Sequence, residues 1–291
     1  MTKPISIRLL NTLKKGVGSL SDEAMLQVKN YVQSQINAKS VFANRGGMPD
    51  LYYTAFGWML CYVLKIKLNP ERMRTYLDGI DADGLDLIHY AAYQRCKVLA
   101  YLSKYGELLT GISSFKPKKI KAIRDFAAIP HNDPDSPYSQ FIWVSLLEDT
   151  GHKLTDKKER IAKLNEYRLE SGGYRNMPEG LGATTNATVA ALAVRGQLGG
   201  YKTNQDVVFL KELQQPSGGF CAAGATPVPD LLSTATALFM LECYKGKPKF
   251  NPADFLEAHW LPSGGFCPTL VDESSDVEYT FYGLLALGTL V

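Results

Sequence analysis

Charge of one sign is what the 291-residue sequence lacks first: 32 Lys and Arg stand against 29 Asp and Glu, a formal net charge of +3. Apart from the run Lys116-Pro117-Lys118-Lys119-Ile120-Lys121, the basic residues are scattered. A nucleic-acid binder gathers its cations on one face, so no nucleic-acid partner is expected. Cysteine is sparse: Cys61, Cys96, Cys221, Cys243 and Cys267 are odd in number, contain no C-x-x-C pair and sit mostly in apolar surroundings. A disulfide framework is thereby excluded, and a reducing compartment fits. Long apolar runs are also missing. None reaches the roughly 18 residues of a membrane span, and residues 1–16 lack an apolar stretch ending in a small-residue cleavage site. The expectation is a soluble, cytoplasmic protein with no membrane span. Strand-like alternation is nearly absent, whereas 45% hydrophobic residues suffice for a large core.

What is present is an internal repeat. Gly-Gly-aromatic occurs at Gly172-Gly173-Tyr174, Gly218-Gly219-Phe220 and Gly264-Gly265-Phe266, each 46 residues from the next. Pro216-Ser217-Gly218-Gly219-Phe220-Cys221 returns as Pro262-Ser263-Gly264-Gly265-Phe266-Cys267, and the segment opening at Asp230 returns at Asp276, with a more worn copy at Thr184. Each unit reads as a polar-faced helix, a glycine turn, a loop and a more apolar helix. Asn251-Pro252 opens one such polar helix, with Pro at a position that favours helix starts. Paired glycines suit a turn with positive φ and close backbone approach, after which the aromatic can tuck inward.

The N-terminal half follows the same plan with looser spacing. Asp50, Tyr53, Thr54, Phe56 and Gly57 match Asp276, Tyr279, Thr280, Tyr282 and Gly283. Inner, apolar helices are predicted to start near residues 50, 86, 138, 184, 230 and 276. Outer helices are predicted at 22–40, 69–79, 116–127, 155–170, 203–214 and 251–261. Asp81-Ala82-Asp83-Gly84 reads as a capping turn for the helix expected from about Leu85. Helical pairs of this kind bury their apolar faces only by stacking. The apolar last helix needs a neighbour, which closing the stack on itself supplies. The fold class expected is therefore all-α, an (α/α)6 toroid of six inner and six outer helices in a single domain over 1–291, its clearest repeats at 155–200, 201–246 and 247–291. An open superhelix is the alternative arrangement.

The glycine-aromatic turn followed by an Asp-started helix resembles the repeat of protein prenyltransferase β subunits and of squalene cyclases, and the resemblance covers most of the chain. Its most specific stretch is Pro49-Asp50-Leu51-Tyr52-Tyr53-Thr54-Ala55-Phe56-Gly57, similar to the histidine segment of the prenyltransferase zinc site, with Tyr53 where the histidine stands. The resemblance implies a deep apolar funnel for an isoprenoid chain and a helical-repeat protein partner. It also locates the departures. Asp230 matches the zinc Asp, but Leu232 stands at the Cys position and Tyr279 at the His position. One ligand of three does not make a tetrahedral zinc site, so no metal and no cofactor is expected. The residues 222–229 ahead of Asp230 contain no cation to hold a diphosphate.

Candidate site residues follow from this frame. Asp50, Asp230 and Asp276 recur at inner-helix starts, where a carboxylate caps free N–H groups. Asp230 and Asp276 are also candidates for acid–base work. Glu278, one turn in and beside Tyr279 and Tyr282, is the leading catalytic candidate, because burial in an aromatic wall would raise its pKa. Arg45, Asp50, Tyr52, Tyr53, Arg175, Tyr279 and Tyr282 are candidate substrate-binding residues. The arginines offer bidentate forks, and the aromatic faces suit cations. Three readings are carried: a zinc-independent prenyltransferase-like or cyclase-like protein acting on or binding an isoprenoid or other lipidic molecule; a non-catalytic toroid binding a lipid or protein; and a carbohydrate-active (α/α)6 barrel with paired carboxylates. A thioester toroid is excluded by the absence of C-G-E-Q.

Overall fold

The computed structural model describes residues 3–105, 135–180, 182–200 and 204–291. The outer helix expected at 116–127 lies outside the described residues. Among those described are twelve helices and one antiparallel pair of two-residue strands, so the chain is mostly helical. No helix among them is long and apolar enough to cross a membrane.

The helices begin with α1 (Ile5–Gly18), α2 (Asp22–Ser34), α3 (Leu51–Val63), α4 (Pro70–Asp78), α5 (Leu87–Tyr105) and α6 (Pro137–Asp149). They continue with α7 (Lys157–Glu166), α8 (Thr185–Leu198), α9 (Asn204–Glu212), α10 (Leu231–Cys243), α11 (Ala253–Ala258) and α12 (Val277–Gly288). The strands are β1 (Phe220–Cys221) and β2 (Pro229–Asp230).

The apolar helices α3, α5, α6, α8, α10 and α12 all start on a side-chain cap. A backbone N–H three residues on donates to Asp50, Asp86, Ser136, Thr184, Asp230 and Asp276, at 2.7 to 3.2 Å. Each cap satisfies one of the amides a helix start leaves free. For α5 the cap is Asp86 rather than the expected Asp81-to-Gly84 turn, in which Asp81 accepts from Asp83 N and closes a local loop instead.

A second recurrent bond ties each turn to its helix. Four residues beyond the cap, Thr54, Thr188, Thr234 and Thr280 accept from the backbone N–H of Phe42, Tyr174, Phe220 and Phe266, at 2.8 to 3.3 Å. All four aromatic residues are fully buried. A buried amide left without this acceptor would lose roughly 1–3 kcal/mol, so the threonine keeps the aromatic in place.

Outer helices are shorter than their patterns predict. Arg168, Gln214 and Trp260, expected inside or at the ends of helices, instead bridge to Tyr174, Phe220 and Phe266. Their backbone partners lie in the turn, which takes the chain out of helical geometry.

Successive apolar helices pack side by side: α3 on α5, α5 on α6, α6 on α8, α8 on α10, α10 on α12, and α12 back on α3. The glycine turns repeat the relation between neighbours. A Cβ on Gly172 would meet Gln205 at the start of α9, and one on Gly218 would meet Asn251 just ahead of α11. One on Gly264 would meet Gln27 in α2. Likewise Gly173, Gly219 and Gly265 lie against Phe209, Phe255 and Tyr31. The last unit thus meets the first as the middle units meet each other.

Helix α1 has no counterpart in the repeat. It packs on α12, α3 and α6, near where the apolar helices end. Gly16 and Gly288 let α1 and α12 cross at backbone contact, since a Cβ on either would overlap a carbonyl oxygen of the other helix. Ile5 N–H donates to Glu148 at 2.9 Å, Gln197 Nε2 donates to Lys3 O at 2.9 Å, and Lys15 pairs with Glu242 at 2.8 Å. Pro4, at the cap position of α1, offers no side-chain acceptor, so Glu148 of α6 serves in its place.

Candidate functional site

A cavity of about 510 Å³ lies among the apolar helices and is lined by residues from all six, with Ile5 and Leu9 of α1 on its wall. Its lining follows one register. Two residues beyond each cap stand Tyr52, Ile88, Tyr138, Asn186 and Leu232, and six beyond stand Phe56, Ala92, Ile142, Ala190, Thr236 and Tyr282. Nine beyond stand Met59, Arg95, Ala193, Phe239 and Leu285. Offsets of two, six and nine fall on one helical face, so each helix turns the same stripe inward. The wall is thus layered, with the Tyr52 and Tyr138 hydroxyls and the Asn186 amide near the helix starts and, Arg95 apart, mostly apolar groups deeper in.

Glu278 holds the two-residue position on α12. It is not itself on the cavity wall, but Tyr52, which is, donates its hydroxyl to Glu278 Oε1 at 2.7 Å. Burial pushes Glu278 above the ordinary carboxylate range. Tyr52's hydrogen bond opposes the shift, whereas the charges of Asp276 and Asp50 add to it and that of Arg45 opposes it. The hydroxyls of Tyr138 and Tyr282 also interact with Tyr52, and burial raises all three tyrosines. Three phenols from α3, α6 and α12 therefore gather about one carboxyl. Edge-on contacts of Phe56 with Tyr52 and Phe281, at 4.9 Å between centroids, fix the rings.

Asp50, Asp230 and Asp276 are helix caps, each with one carboxylate oxygen on a backbone amide. Asp230 is raised by burial, and the Ser233 amide counters that shift. Arg45 donates from Nε to Asp276 and from Nη1 to Asp272, both at 2.7 Å, and lies 5.3 Å from the Tyr279 ring centroid. Its fork is already occupied by carboxylates. Ser274's hydroxyl and Arg45 together hold Asp272 at about 2. Tyr53 stands edge-on to Tyr52 and feels the charges of Asp276 and Glu278. Burial pushes Tyr279 up to about 12, and Glu278 and Asp276 add to the shift. Arg175 donates to the Glu166 carbonyl at the end of α7. The structure therefore brings together Arg45, Asp50, Tyr52, Tyr53, Asp276, Glu278, Tyr279 and Tyr282, and engages Arg175 elsewhere.

No group of three or more His, Cys, Asp or Glu that could hold a metal ion occurs among the described residues. All five cysteines are free thiols, and Cys221 and Cys267 are buried.

Tyr138, Asn186, Arg95, Ile5 and Leu9 are lining residues without a motif of their own in the sequence. The offset from each cap identifies Tyr138, Asn186 and Arg95 once the caps are aligned. Arg95 is the charged residue of the lining, with Nε 3.1 Å from Asp149. No family model matches the chain, and no curated protein matches it significantly.

Proposed function

We propose that the chain is an (α/α)6 toroid of prenyltransferase-like repeats that binds an isoprenoid or other lipidic chain in its central cavity without zinc. The carrying observation is the cavity of about 510 Å³ to which all six apolar helices contribute in one register. The volume lies within the roughly 300–1,000 Å³ of small-molecule sites. The unbroken circuit of neighbours from α3 through α12 and back supports a closed arrangement of hairpins. Helix α1 then acts as the plug at one end, with Ile5 and Leu9 ending the apolar space. Arg45's engagement with Asp272 and Asp276 supports a binding role over diphosphate-dependent transfer.

Binding of farnesol and geranylgeraniol, followed by native mass spectrometry and titration, tests the reading. The wild type is expected to hold one chain. Ala190→Trp, which places an indole in the second lining layer, is expected to lose it while keeping the helical circular dichroism. Equal binding by both proteins would remove the cavity as the site.

A second reading is favoured by the Tyr52–Glu278 hydrogen bond. With Glu278 protonated, Tyr52 passes its proton to a bound alkene as it takes one from the carboxyl, and the cation so formed loses a neighbouring C–H proton along the same path, which restores both groups. A product formed from geranylgeraniol by the wild type and lost in Glu278→Gln supports that reading. Unchanged geranylgeraniol in both sinks it.

A further inference from the structure

The described part of the mouth is rich in carboxylates and poor in free cations. Asp50, Asp230, Asp276 and Glu278 all act on the tyrosines of this end; Arg45 opposes them at Tyr53 and Tyr279, and Arg95 opposes Glu278 at Tyr138. The Arg45 guanidinium is bonded to Asp272 and Asp276. Glu278 therefore has no cationic partner among the described residues, only the Tyr52 hydroxyl. A half-buried carboxylate without a counter-charge is unfavourable, because the solvation it loses is not replaced. An arriving cation would offset that cost. It would also meet electron-rich rings: Tyr52, Tyr138 and Tyr282 are on the cavity wall together with Phe56 and Phe281. Aromatic faces around a carboxylate recognise ammonium groups, because the negative face of each ring attracts the cation. An anionic head faces the opposite balance among the described residues of this mouth. The deeper arginine, Arg95, is already paired with Asp149.

We propose that the chain this cavity holds carries a positively charged amine head, seated against the Tyr52, Tyr138 and Tyr282 rings with Glu278 behind the Tyr52 hydroxyl as its counter-charge, and with its apolar body running toward Ile5 and Leu9. The assignment rests on the chain-binding reading above and adds the class of head group to it.

The test compares four probes that share a twelve-carbon chain, each below its micelle threshold: dodecylamine, dodecyltrimethylammonium, dodecanol and dodecanoate. Competition with a bound fluorescent apolar dye reads out binding. Both cations are expected to bind at least about tenfold more tightly than dodecanol, and dodecanoate more weakly than dodecanol. In Glu278→Gln, shown to be folded by its circular dichroism and melting temperature, the cations should weaken by about tenfold and dodecanol should not change. If dodecanoate binds as tightly as the amines, or Glu278→Gln weakens all four probes alike, the head-group assignment is overturned while chain binding stands. If none of the four binds, the chain-binding reading falls and takes the assignment with it.

Discussion

From Lys157 onward the turn, the buried aromatic and the capped helix recur every 46 residues, whereas between Ile5 and Tyr105 the spacing drifts. Phe42 precedes its threonine, Thr54, by 12 residues, and Phe220 precedes Thr234 by 14. The bond itself is kept. What the repeat conserves physically is thus the lock between a buried backbone amide and a helix hydroxyl, and loop length is free to vary around it. The irregular half also carries what the regular half has no copy of: helix α1, Arg45 with its two carboxylates, and Tyr52 against Glu278.

The sharpest way to break this comparison is at the joint between the halves. Gly288 belongs to a regular unit, but it touches α1, and a Cβ there would overlap the Thr12 carbonyl oxygen. Gly288→Ala is expected to destabilise by about 3 kcal/mol or more, because two helix backbones must separate. Urea denaturation reads this directly. A loss under about 1 kcal/mol would mean that α1 contributes little to the packing.

A smaller effect sharpens the same comparison. Gly218 and Gly264 both hold strongly positive φ, 95° and 91°, and each lies against backbone, one next to α11 and the other in α2. Gly218→Ala and Gly264→Ala should each cost roughly 2–3 kcal/mol, from strain plus overlap. Equal losses are the signature of one kind of junction used twice. A much smaller loss for Gly264→Ala would mark the contact with the first unit as looser than those within the repeat.

The third prediction concerns the anchor of α1. Burial raises Glu148 from its ordinary 4.5 to about 7, and the Ile5 amide it accepts counters that shift. A folded-state value above the unfolded one means that folding favours the protonated form. The contribution is fully present below about 4.5 and is lost as pH rises through about 7. Glu148→Gln keeps an acceptor for Ile5 and carries no charge. It should match the wild type near pH 4.5 and exceed it at pH 8 by roughly 1–2 kcal/mol, a figure reduced for partial exposure. A constant difference across that range in paired urea titrations would refute the assignment.

Local pattern carried the repeat and little beyond it. Asp50, Asp230 and Asp276 were legible as caps because the run that follows each is apolar and the spacing recurs. The cavity register was not, since it needs the caps Asp86 and Ser136 as well, and neither is marked by the repeat. Other features depend on contacts between distant parts of the chain. Arg45 meets Asp272 and Asp276, 227 and 231 residues away, and no local pattern predicts that its fork is filled. Helix α1 looks like any amphipathic segment until the ends of α6, α8 and α10 supply Glu148, Gln197 and Glu242 as its partners. Tyr138 is a lone aromatic after a proline, and only the convergence of α3, α6 and α12 gives its hydroxyl a role.

The smallest expected effect lies where the irregular half imitates the regular one with the wrong residue. Two positions before each buried aromatic of the later units stands a glycine of positive φ: Gly172, Gly218 and Gly264. Two positions before Phe42 stands Ser40, with φ of 63°. Its backbone is held there by its own N–H donating to Asn37 O at 2.9 Å and by its carbonyl accepting from Trp58 Nε1 at 2.7 Å. An L-residue with a side chain costs about 1–2 kcal/mol in the left-handed region, a cost glycine avoids, although glycine gives back part of the gain through the freer unfolded chain. Ser40→Gly removes no backbone hydrogen bond and should therefore stabilise the fold by roughly 0.5–1 kcal/mol, raising the urea midpoint without changing the slope. Destabilisation instead would mean that the serine side chain, not the turn geometry, secures this corner, and the correspondence between Ser40 and the repeat glycines would fail.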